Sequence, residues 1–338
     1  MKNNNLRNTV ILFFSLVMCF ASVDTFAQGI ELKAKNGNVT AMYKLAGEYY
    51  KGIGRLQDYK QAFIWYKQAA DKNNLESCYM TASMYEEGKG VTENKTNAFN
   101  YYIKAAERGH EKSQFKVATM FDEGIGTTMS KSRAYLWYRI CAERNEVLAQ
   151  RRMGDFYFCG EAVNEDWNEA LYWYDKAVSN NDTISMGNLS YILYANKSVA
   201  PDYKRADALA KIAIQKDVPI AQYVYAELLN NGFIETKNTK KANEYYRLAA
   251  GNGVEQAKEV LAIEKYKKTG DLTDIISLRE INRGETYLIL AREFEADEQL
   301  VKSKKSILEY YKKAAELNNP EAIKYLEEIS NKNKKKRK

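Results

Sequence analysis

The chain repeats one pattern every 36 residues, and this period constrains its fold more than any other feature of the sequence. When the sequence is offset by one period, whole columns align, and one of them is Ala62, Ala98, Ala134, Ala170, Ala206 and Ala242. Six units keep this register without an insertion between residues 41 and 256. Internal periods of about 20–50 residues are typical of solenoids and other repeat folds, so the sequence predicts an elongated array.

Each unit has the apolar spacing of two amphipathic helices, which we call helix A and helix B. In the first unit, the apolar face of helix A includes Ala41, Leu45 and Tyr49. The apolar face of helix B comprises Ala62, Trp65, Tyr66, Ala69 and Ala70. One pair of helices cannot bury both faces, whereas stacked pairs can. The sequence therefore predicts an all-α fold, a right-handed α-solenoid of about eight two-helix repeats, with most tyrosines packed between helices.

Small residues mark two further columns of the repeat. Position 46 and its equivalents stay small, which lets a neighbouring helix approach closely: Ala46, Ala82, Ala118, Gly154, Ser190 and Ala226. A glycine follows helix A at Gly52, Gly88, Gly124, Gly160 and Gly232, with Asn196 in the fifth unit. Glycine tolerates the positive φ of a helix C-terminus, so these residues are predicted to end helix A. A second glycine stands two residues later in the first three units, at Gly54, Gly90 and Gly126.

Together these columns resemble the Sel-one-like repeat, a relative of the tetratricopeptide repeat. The matching residues are Ala41-x3-Leu45-Ala46-x2-Tyr49-x2-Gly52-x-Gly54, then Ala62-x2-Trp65-Tyr66-x2-Ala69-Ala70. In that family the unit is commonly 36 residues long and has a Gly-x-Gly loop between its helices. The resemblance covers 41–256 strongly and the remaining residues weakly, and it implies a tetratricopeptide-like superhelix.

The predicted units lie near 41–76, 77–112, 113–148, 149–184, 185–220 and 221–256. The fifth unit lacks the glycine loop and both aromatic residues of helix B, which predicts a looser interface. Beyond residue 256 the pattern predicts a degenerate unit at 257–285, a further unit at 286–321 and a capping helix at 322–330. In the 286–321 unit, Asp297 and Gln299 replace the two glycines.

The first 27 residues have the features of a secretory signal peptide. A weakly basic start precedes an apolar run from Val10 to Ala21, and Thr25-Phe26-Ala27 offers a cleavage site. The run is too short for a membrane-spanning helix, which needs about 20 residues. A lipid anchor on Cys19 is the alternative, but the large Met18 before it is atypical. The sequence thus predicts an exported protein, periplasmic or secreted, cleaved near Ala27.

The net charge of +7 is concentrated at the two ends of the chain. Residues 331–338 contain six basic side chains and the first 27 residues carry a net charge of +1, so the array itself is neutral. We therefore expect no nucleic-acid groove along the repeats. The tail 331–338 is predicted to be disordered, either as a solubilising segment or as a contact with an anionic surface.

Catalytic and metal-binding patterns are missing from the sequence. The chain has one histidine, His110, predicted to be a solvated turn residue without a nucleophile beside it. The carboxylate pairs Glu86-Glu87 and Asp122-Glu123 are better explained as exposed polar residues than as cation ligands. The loop glycines lack the Gly-Lys-Ser/Thr of a phosphate loop. We expect neither enzymatic activity nor a metal or cofactor.

Three cysteines remain after the predicted cleavage: Cys78, Cys141 and Cys159. Cys141 and Cys159 are either a disulfide pair or small apolar side chains on helices. Cysteine-rich members of the resembled family pair cysteines eight residues apart, but Ala70 stands eight residues before Cys78. Penicillin binding and β-lactamase activity are attributed to those members, and no Ser-x-x-Lys set for such chemistry stands out here.

The repeat pattern therefore predicts a non-catalytic scaffold that binds a protein or peptide partner. In such arrays the variable positions between the structural columns carry specificity. The binding candidates, predicted to be exposed on helices A, are Tyr43, Lys44, Glu48, Tyr79, Met80, Ser83, Lys116 and Arg152. Two alternatives stay open: a cell-wall or β-lactam-related binding protein or hydrolase, and a structural protein docked to an anionic surface by its basic tail.

Overall fold

A computed structural model of the protein describes residues 29–195, 199–296 and 304–336. These residues form helices joined by short loops, and none of them belongs to a β-strand. Several sequence predictions fall outside the described residues: the signal peptide at 1–27, Cys19, Asn196, Asp297 and Gln299.

The chain divides into two compact units, Met1–Lys176 and Ala177–Lys338. The helices of the first unit are α1 (29–35), α2 (Val39–Lys51), α3 (Tyr59–Asp71), α4 (Leu75–Glu87), α5 (Lys95–Ala106), α6 (Glu111–Glu123), α7 (Lys131–Glu143) and α8 (Val147–Cys159). Helix α9 (Trp167–Ser179) includes the boundary between the units. Helices α2, α4, α6 and α8 are helices A, and each odd-numbered helix after them is the helix B of the same repeat.

The second unit continues the alternation of helices A and B and then departs from it. Its helices are α10 (Thr183–Ala195), α11 (Tyr203–Ile214), α12 (Pro219–Asn231), α13 (Thr239–Gly251), α14 (Glu255–Thr269), α15 (Thr273–Ile276), α16 (Gly284–Ala296), α17 (Lys304–Glu316) and α18 (Pro320–Lys336). Helix α15 has only four residues, so the degenerate repeat has a single turn where its helix B is expected. Helix α18 continues to Lys336, past the predicted cap boundary at 330 and through the described part of the predicted disordered tail.

Consecutive helices pack in pairs, as the repeat pattern predicts. Helix α2 packs on α3, α4 on α5, α6 on α7, α10 on α11 and α12 on α13, and each helix B also packs on the next helix A in the same unit. The alanine column of helix B is fully buried in all six repeats. The predicted all-α solenoid of two-helix repeats is therefore confirmed.

The small column on helix A allows helix B to pack closely, as predicted. Gly154 of α8 faces Tyr174 of the same repeat, and a β-carbon on Gly154 would lie 2.5 Å from the tyrosine ring. Ala46, Ala82 and Ala118 at the equivalent positions are completely buried. A β-carbon on Gly154 would therefore push the two helices of this repeat apart.

Glycine ends five helices A, and the second loop glycine has an additional role. The φ angles lie between 68° and 72° at Gly52, Gly88, Gly124, Gly160 and Gly232, confirming the predicted helix ends. The second glycines of the next two loops abut the preceding repeat: a β-carbon on Gly90 or Gly126 would lie 2.1 Å from the carbonyl oxygen of Tyr59 or Lys95. Gly54 belongs to the first repeat and has no such neighbour within 4 Å.

A third column forms the turn from each helix B to the next helix A. The residues with positive φ are Gly37, Asn73, Gly109, Asn145, Asn181, Asp217 and Gly253. Glycine, asparagine and aspartate are the residues that best tolerate this conformation. The following residue caps helix A, and in the third repeat that residue is His110.

His110 is a helix cap, so the prediction of a solvated turn residue is wrong. Its Nδ1 accepts a hydrogen bond from the Ser113 backbone N–H at 3.2 Å, and its Nε2 lies 3.3 Å from Glu76 Oε1. The ring also packs against Tyr79, with 5.2 Å between the ring centres. Only 10% of the side chain is exposed, because these three neighbours cover it.

Candidate functional site

In the first unit, tyrosines of helices B hold the polar residues of helices A in place. Tyr102 donates its hydroxyl to Glu86 at 2.7 Å, and Tyr174 donates to Asp155 at 2.8 Å. Tyr138 donates more weakly to Thr119, at 3.4 Å. Burial raises the pKa of Tyr102 and of Tyr138, and that of Tyr138 reaches about 12. These two phenols therefore remain protonated donors, which fixes the direction of each hydrogen bond.

Ion pairs join successive helices A at a spacing of 30 residues. Lys116 of α6 contacts both carboxylate oxygens of Glu86 on α4 at 3.1 Å. One repeat later, Arg152 of α8 contacts Asp122 of α6 at 2.7 and 2.9 Å, and Lys131 adds a contact of 2.6 Å. The two pairs occupy equivalent positions of the 36-residue repeat and form a charged row along the first unit.

The pair at Asp122 is the more buried of the two. Burial alone would raise the pKa of Asp122, but hydrogen bonds from Arg152 and Lys131 hold it below its usual value. Arg152 also contacts Glu161 at 2.8 Å, and its guanidinium lies 4.3 Å from the centre of the Phe156 ring. Although burial alone would lower the pKa of Arg152, its two carboxylate partners raise it. The arginine is thus charged and held on several sides.

Beside this row lies a cavity of about 480 Å³, a volume in the range of ligand sites. Its apolar wall includes the rings of Tyr79 and Phe115. Its basic residues include Lys112, whose Nζ is 6.0 Å from the Tyr79 ring centre, and Arg144, which donates to Gln114 at 2.7 Å. The remaining lining residues are Glu111, Gln114, Lys116, Cys141, Asn145 and Glu146. Aromatic faces beside solvent-accessible cations suit a peptide that carries both apolar and acidic groups.

The predicted binding residues are mostly half-buried, which corrects the expectation that they are exposed. Only Lys44 is fully exposed; the half-buried residues are Tyr43, Glu48, Tyr79, Met80, Ser83, Lys116 and Arg152. They are covered because they contact their neighbours. Glu48, for example, forms an ion pair with Arg55 at 2.8 Å.

The structure brings two of the predicted residues, Tyr79 and Lys116, to the cavity. Tyr43 instead packs against Tyr66, and Ser83 donates to Glu87 at 2.7 Å. Met80 packs into the neighbouring apolar cluster. Sequence reasoning missed the cavity residues that follow.

Those missed residues are Phe115, Lys112 and Arg144. Phe115 stands one period after Tyr79 and two after Tyr43, so its column was a usable indication. Lys112 and Arg144 lie at the ends of helices, where the apolar columns give no indication of their position.

The second unit contains a different polar cluster, centred on the buried carboxylate of Glu227 on α12. Tyr194 donates to one carboxylate oxygen, and Tyr246 donates to the other at 2.9 Å. Arg283 forms an ion pair with the same carboxylate, and its Nη2 lies 3.3 Å from the hydroxyl of Tyr223. The side chain of Glu227 is 4% exposed. We call Glu227 and these three tyrosines the Glu227 cluster.

Arg283 reaches this cluster from a non-helical segment between α15 and α16. Its own backbone N–H donates to Glu259 at 3.0 Å, and the N–H of Asn282 donates to the same carboxylate at 3.0 Å. Glu259 is completely buried and also accepts from Thr286 at 2.7 Å. Two carboxylates on successive helices A therefore hold the segment, one through its backbone and one through its side chain.

The electrostatic environment of the Glu227 cluster keeps its members in one protonation state. Burial and the carboxylate of Glu227 raise the pKa of Tyr194, Tyr223 and Tyr246. Burial alone would lower the pKa of Arg283, but Glu227 and the nearby tyrosines raise it. The three phenols therefore stay neutral, and the guanidinium of Arg283 stays charged.

The three described cysteines are free thiols. No disulfide joins Cys141 to Cys159. Of these two residues, Cys141 is buried as a small apolar side chain, whereas Cys159 is exposed at the end of α8. Burial raises the pKa of Cys141 to about 11, so its thiol stays protonated. Within residues 29–195, 199–296 and 304–336, no group of three metal-ligating side chains occurs, and no helix is long and apolar enough to cross a membrane.

Comparison with known proteins adds two findings. A profile of the Sel1 repeat matches residues 39–74, 75–110, 111–146, 147–182, 219–254 and 308–319, which together exceed half of the chain. The matches omit the fifth repeat, where the glycine loop and the helix B aromatic residues are missing. None of the curated proteins matches the chain.

Two solved structures illustrate the structural similarity. A protective antigen of uropathogenic Escherichia coli strains, which displays an SLR fold, is 26% identical with a TM-score of 0.57 over 87% of this chain. The alignment covers 64% of the length of that antigen. A Sel1 repeat protein from Oxalobacter formigenes is 28% identical with a TM-score of 0.49 and covers 63% of this chain and 85% of its own.

Proposed function

Because the chain belongs to the Sel1 repeat family, we propose that it is a non-catalytic scaffold of the bacterial cell envelope that binds a protein or peptide partner. Sel1 repeats commonly mediate protein–protein interactions. The observation that carries the proposal is the cavity in the first unit, with two aromatic rings beside the side chains of Lys112 and Arg144. An envelope location rests on the signal-peptide pattern of the first 27 residues.

The cavity supports binding rather than chemistry. Its cations are positioned by an aromatic ring and by Gln114, and no nucleophile–base pair is formed by its lining residues. A partner segment with an apolar side chain between acidic residues would place the apolar group against Tyr79 and Phe115. Its acidic groups would then lie beside Lys112 and Arg144, which gives specificity through charge complementarity.

Affinity capture from a bacterial envelope extract tests the proposal. The bait is residues 28–338, and the test variant is Lys112→Glu with Arg144→Glu. Lys60→Glu with Arg139→Glu is the matched control, because it makes the same charge change at exposed positions of helices α3 and α7. We expect a protein that is enriched by the wild type and the control and lost with the cavity variant. Equal enrichment by all three baits, or none by any, would contradict the proposal.

The hydrolytic alternative is tested by incubating the same purified protein with a fluorogenic β-lactam. A non-catalytic scaffold is expected to show no saturable turnover above a heat-denatured control. Turnover that one point substitution abolishes would instead establish an enzyme.

The basic tail provides a separate test of surface docking. Six basic residues at 331–338 would bind anionic vesicles at low ionic strength, and added salt would release them. Removal of 331–338 is expected to abolish such sedimentation. If the truncated and full chains sediment equally, the tail is not the docking segment.

A further inference from the structure

The Glu227 cluster is built around a guanidinium group. The carboxylate forms an ion pair with Arg283, while hydroxyls of Tyr194 and Tyr246 satisfy its remaining acceptor sites. The hydroxyl of Tyr223 accepts a contact from the same guanidinium nitrogen. These contacts come from one guanidinium nitrogen, Nη2, and a guanidinium suits a buried ion pair better than a lysine ammonium because it is more weakly hydrated.

The arginine in this site belongs to a different part of the chain from the residues that bind it. Arg283 follows Glu227 by 56 residues, and it lies in the non-helical residues 277–283. This segment stands where a regular repeat would have most of its helix B. Its polar contacts with helices α12 and α14 include one inserted side chain and two backbone N–H groups bound by a carboxylate. Leu278 and Ile281 of the segment also pack against the apolar cluster that contains Ala262 and Ile263 of α14.

A bound peptide makes polar contacts of the same two kinds with the protein that binds it. A side chain enters a pocket for specificity, and backbone groups bind to fixed polar side chains for register. The helix A residues equivalent to Glu227 in the second, third and fourth repeats, Ser83, Thr119 and Asp155, form hydrogen bonds with residues of their own repeat. At Glu227 the ion-pair partner comes instead from the irregular segment.

We propose that the Glu227 cluster is a recognition site for an arginine side chain of a protein partner, and that Arg283 fills it in the free protein. A partner segment binds by displacing Arg283. This inference rests on the proposed function, because it names a partner feature that the scaffold recognises, but it concerns the second unit and not the cavity of the first. Because Arg283 occupies the site, the apparent affinity for the partner's arginine equals the intrinsic affinity multiplied by the fraction of molecules in which the site is open.

The direct test uses a variant, Arg283→Ala, in which the Glu227 cluster has lost its arginine. The probes are the peptides acetyl-Gly-Arg-Gly-amide and acetyl-Gly-Lys-Gly-amide, and binding to the full mature chain is measured by calorimetry. Arg283→Ala is expected to bind the arginine peptide at least about ten-fold more tightly than the wild type, and to prefer it over the lysine peptide by a similar factor. Arg279→Ala is the matched control, since Arg279 is exposed on the same segment, and it is expected to behave as the wild type.

A second measurement covers the case in which Arg283→Ala is too unstable to bind peptide. Methylguanidinium at about 10 mM is expected to raise the melting temperature of Arg283→Ala and to leave the wild type unchanged, because it refills the vacated site. The proposal is overturned if the peptides bind the variant and the wild type equally, or if methylguanidinium fails to restore an unstable variant. Loss of partner capture in the first-unit variant does not affect either result, so the two proposals fail independently.

Discussion

The two units of the protein treat the polar residues of their helices A differently. In the first unit, Asp122 and Arg152 lie in a charged row that remains partly open to solvent, beside a cavity. In the second unit, Glu227 is buried beneath tyrosines, and Arg283 from an irregular segment completes its coordination. Helices A thus carry an open polar surface in one unit and a covered one in the other.

The difference shows what happens when a repeat loses its regularity. The first unit has complete repeats, so the two ion pairs of its charged row, Lys116–Glu86 and Arg152–Asp122, join residues at a constant separation of 30. In the second unit the degenerate repeat lacks a full helix B, and the segment left in its place lies across neighbouring helices A. The arginine that completes the Glu227 cluster therefore comes from outside the regular repeats.

The largest effect is expected from Glu227→Ala. This change leaves Arg283 and two tyrosine hydroxyls without their buried acceptor, which should lower the free energy of unfolding by about 3–5 kcal/mol. Urea denaturation followed by circular dichroism measures it, with the exposed Glu244→Ala as the control. A loss below about 1 kcal/mol would mean that the cluster is no tighter than a surface ion pair, and the contrast between the units would disappear.

The next effect concerns the junction between repeats in the first unit. Gly126→Ala places a β-carbon against the Lys95 carbonyl and keeps an unfavourable positive φ, so we expect a loss of about 2–5 kcal/mol. Gly54→Ala has the same strained φ without the clash and should lose about 1–2 kcal/mol. Equal losses in thermal unfolding would show that the second glycine acts through φ alone.

A smaller effect is expected from Asp122→Asn, which weakens the partly exposed charged row. The loss at pH 7 should be about 1–3 kcal/mol, less than for Glu227. Because the folded-state pKa of Asp122 lies below its unfolded value, the stabilisation is present above about pH 4 and disappears as the pH falls through the folded-state value. Urea midpoints of both proteins from pH 7 to pH 3 should therefore converge, and a gap that widens on acidification would contradict this.

The smallest effect is expected at His110. His110→Ala removes a side-chain cap from α6 and should cost about 1 kcal/mol, whereas His110→Asn restores the cap found at the equivalent Asn74 and should cost under about 0.5 kcal/mol. Differential scanning calorimetry resolves the two. If His110→Asn loses as much as His110→Ala, the contacts with Tyr79 and Glu76 outweigh the cap.

Features governed by local rules were predictable from the sequence. The glycines that end helices A, the buried alanine column and the close approach at Gly154 follow from spacing and residue size alone. The turn column with positive φ could have been found in the same way, because each of its positions is glycine, asparagine or aspartate. That column would also have identified His110 as a helix cap.

Features that depend on contacts between repeats were not predictable. Nothing in the residues around Arg283 indicates that its side chain pairs with Glu227, since the segment has no register with the repeat. Predicted exposure failed for Arg152 because its partner Asp122 lies 30 residues earlier, in a different helix. The apolar columns determine which helices pack, but they leave the pairing of charges between those helices open.

The contact of Gly90 and Gly126 with the main chain of the preceding repeat has a consequence for how the protein can change in length. Backbone geometry, rather than side-chain volume, sets the step between neighbouring repeats at these loops. Core residues can be exchanged without altering that step, whereas one residue added to a loop would separate the two backbones. Among the regular repeats, one complete repeat of 36 residues is the shortest segment whose removal or duplication leaves these junctions intact. The regular part of the array is therefore expected to change in length only by whole repeats.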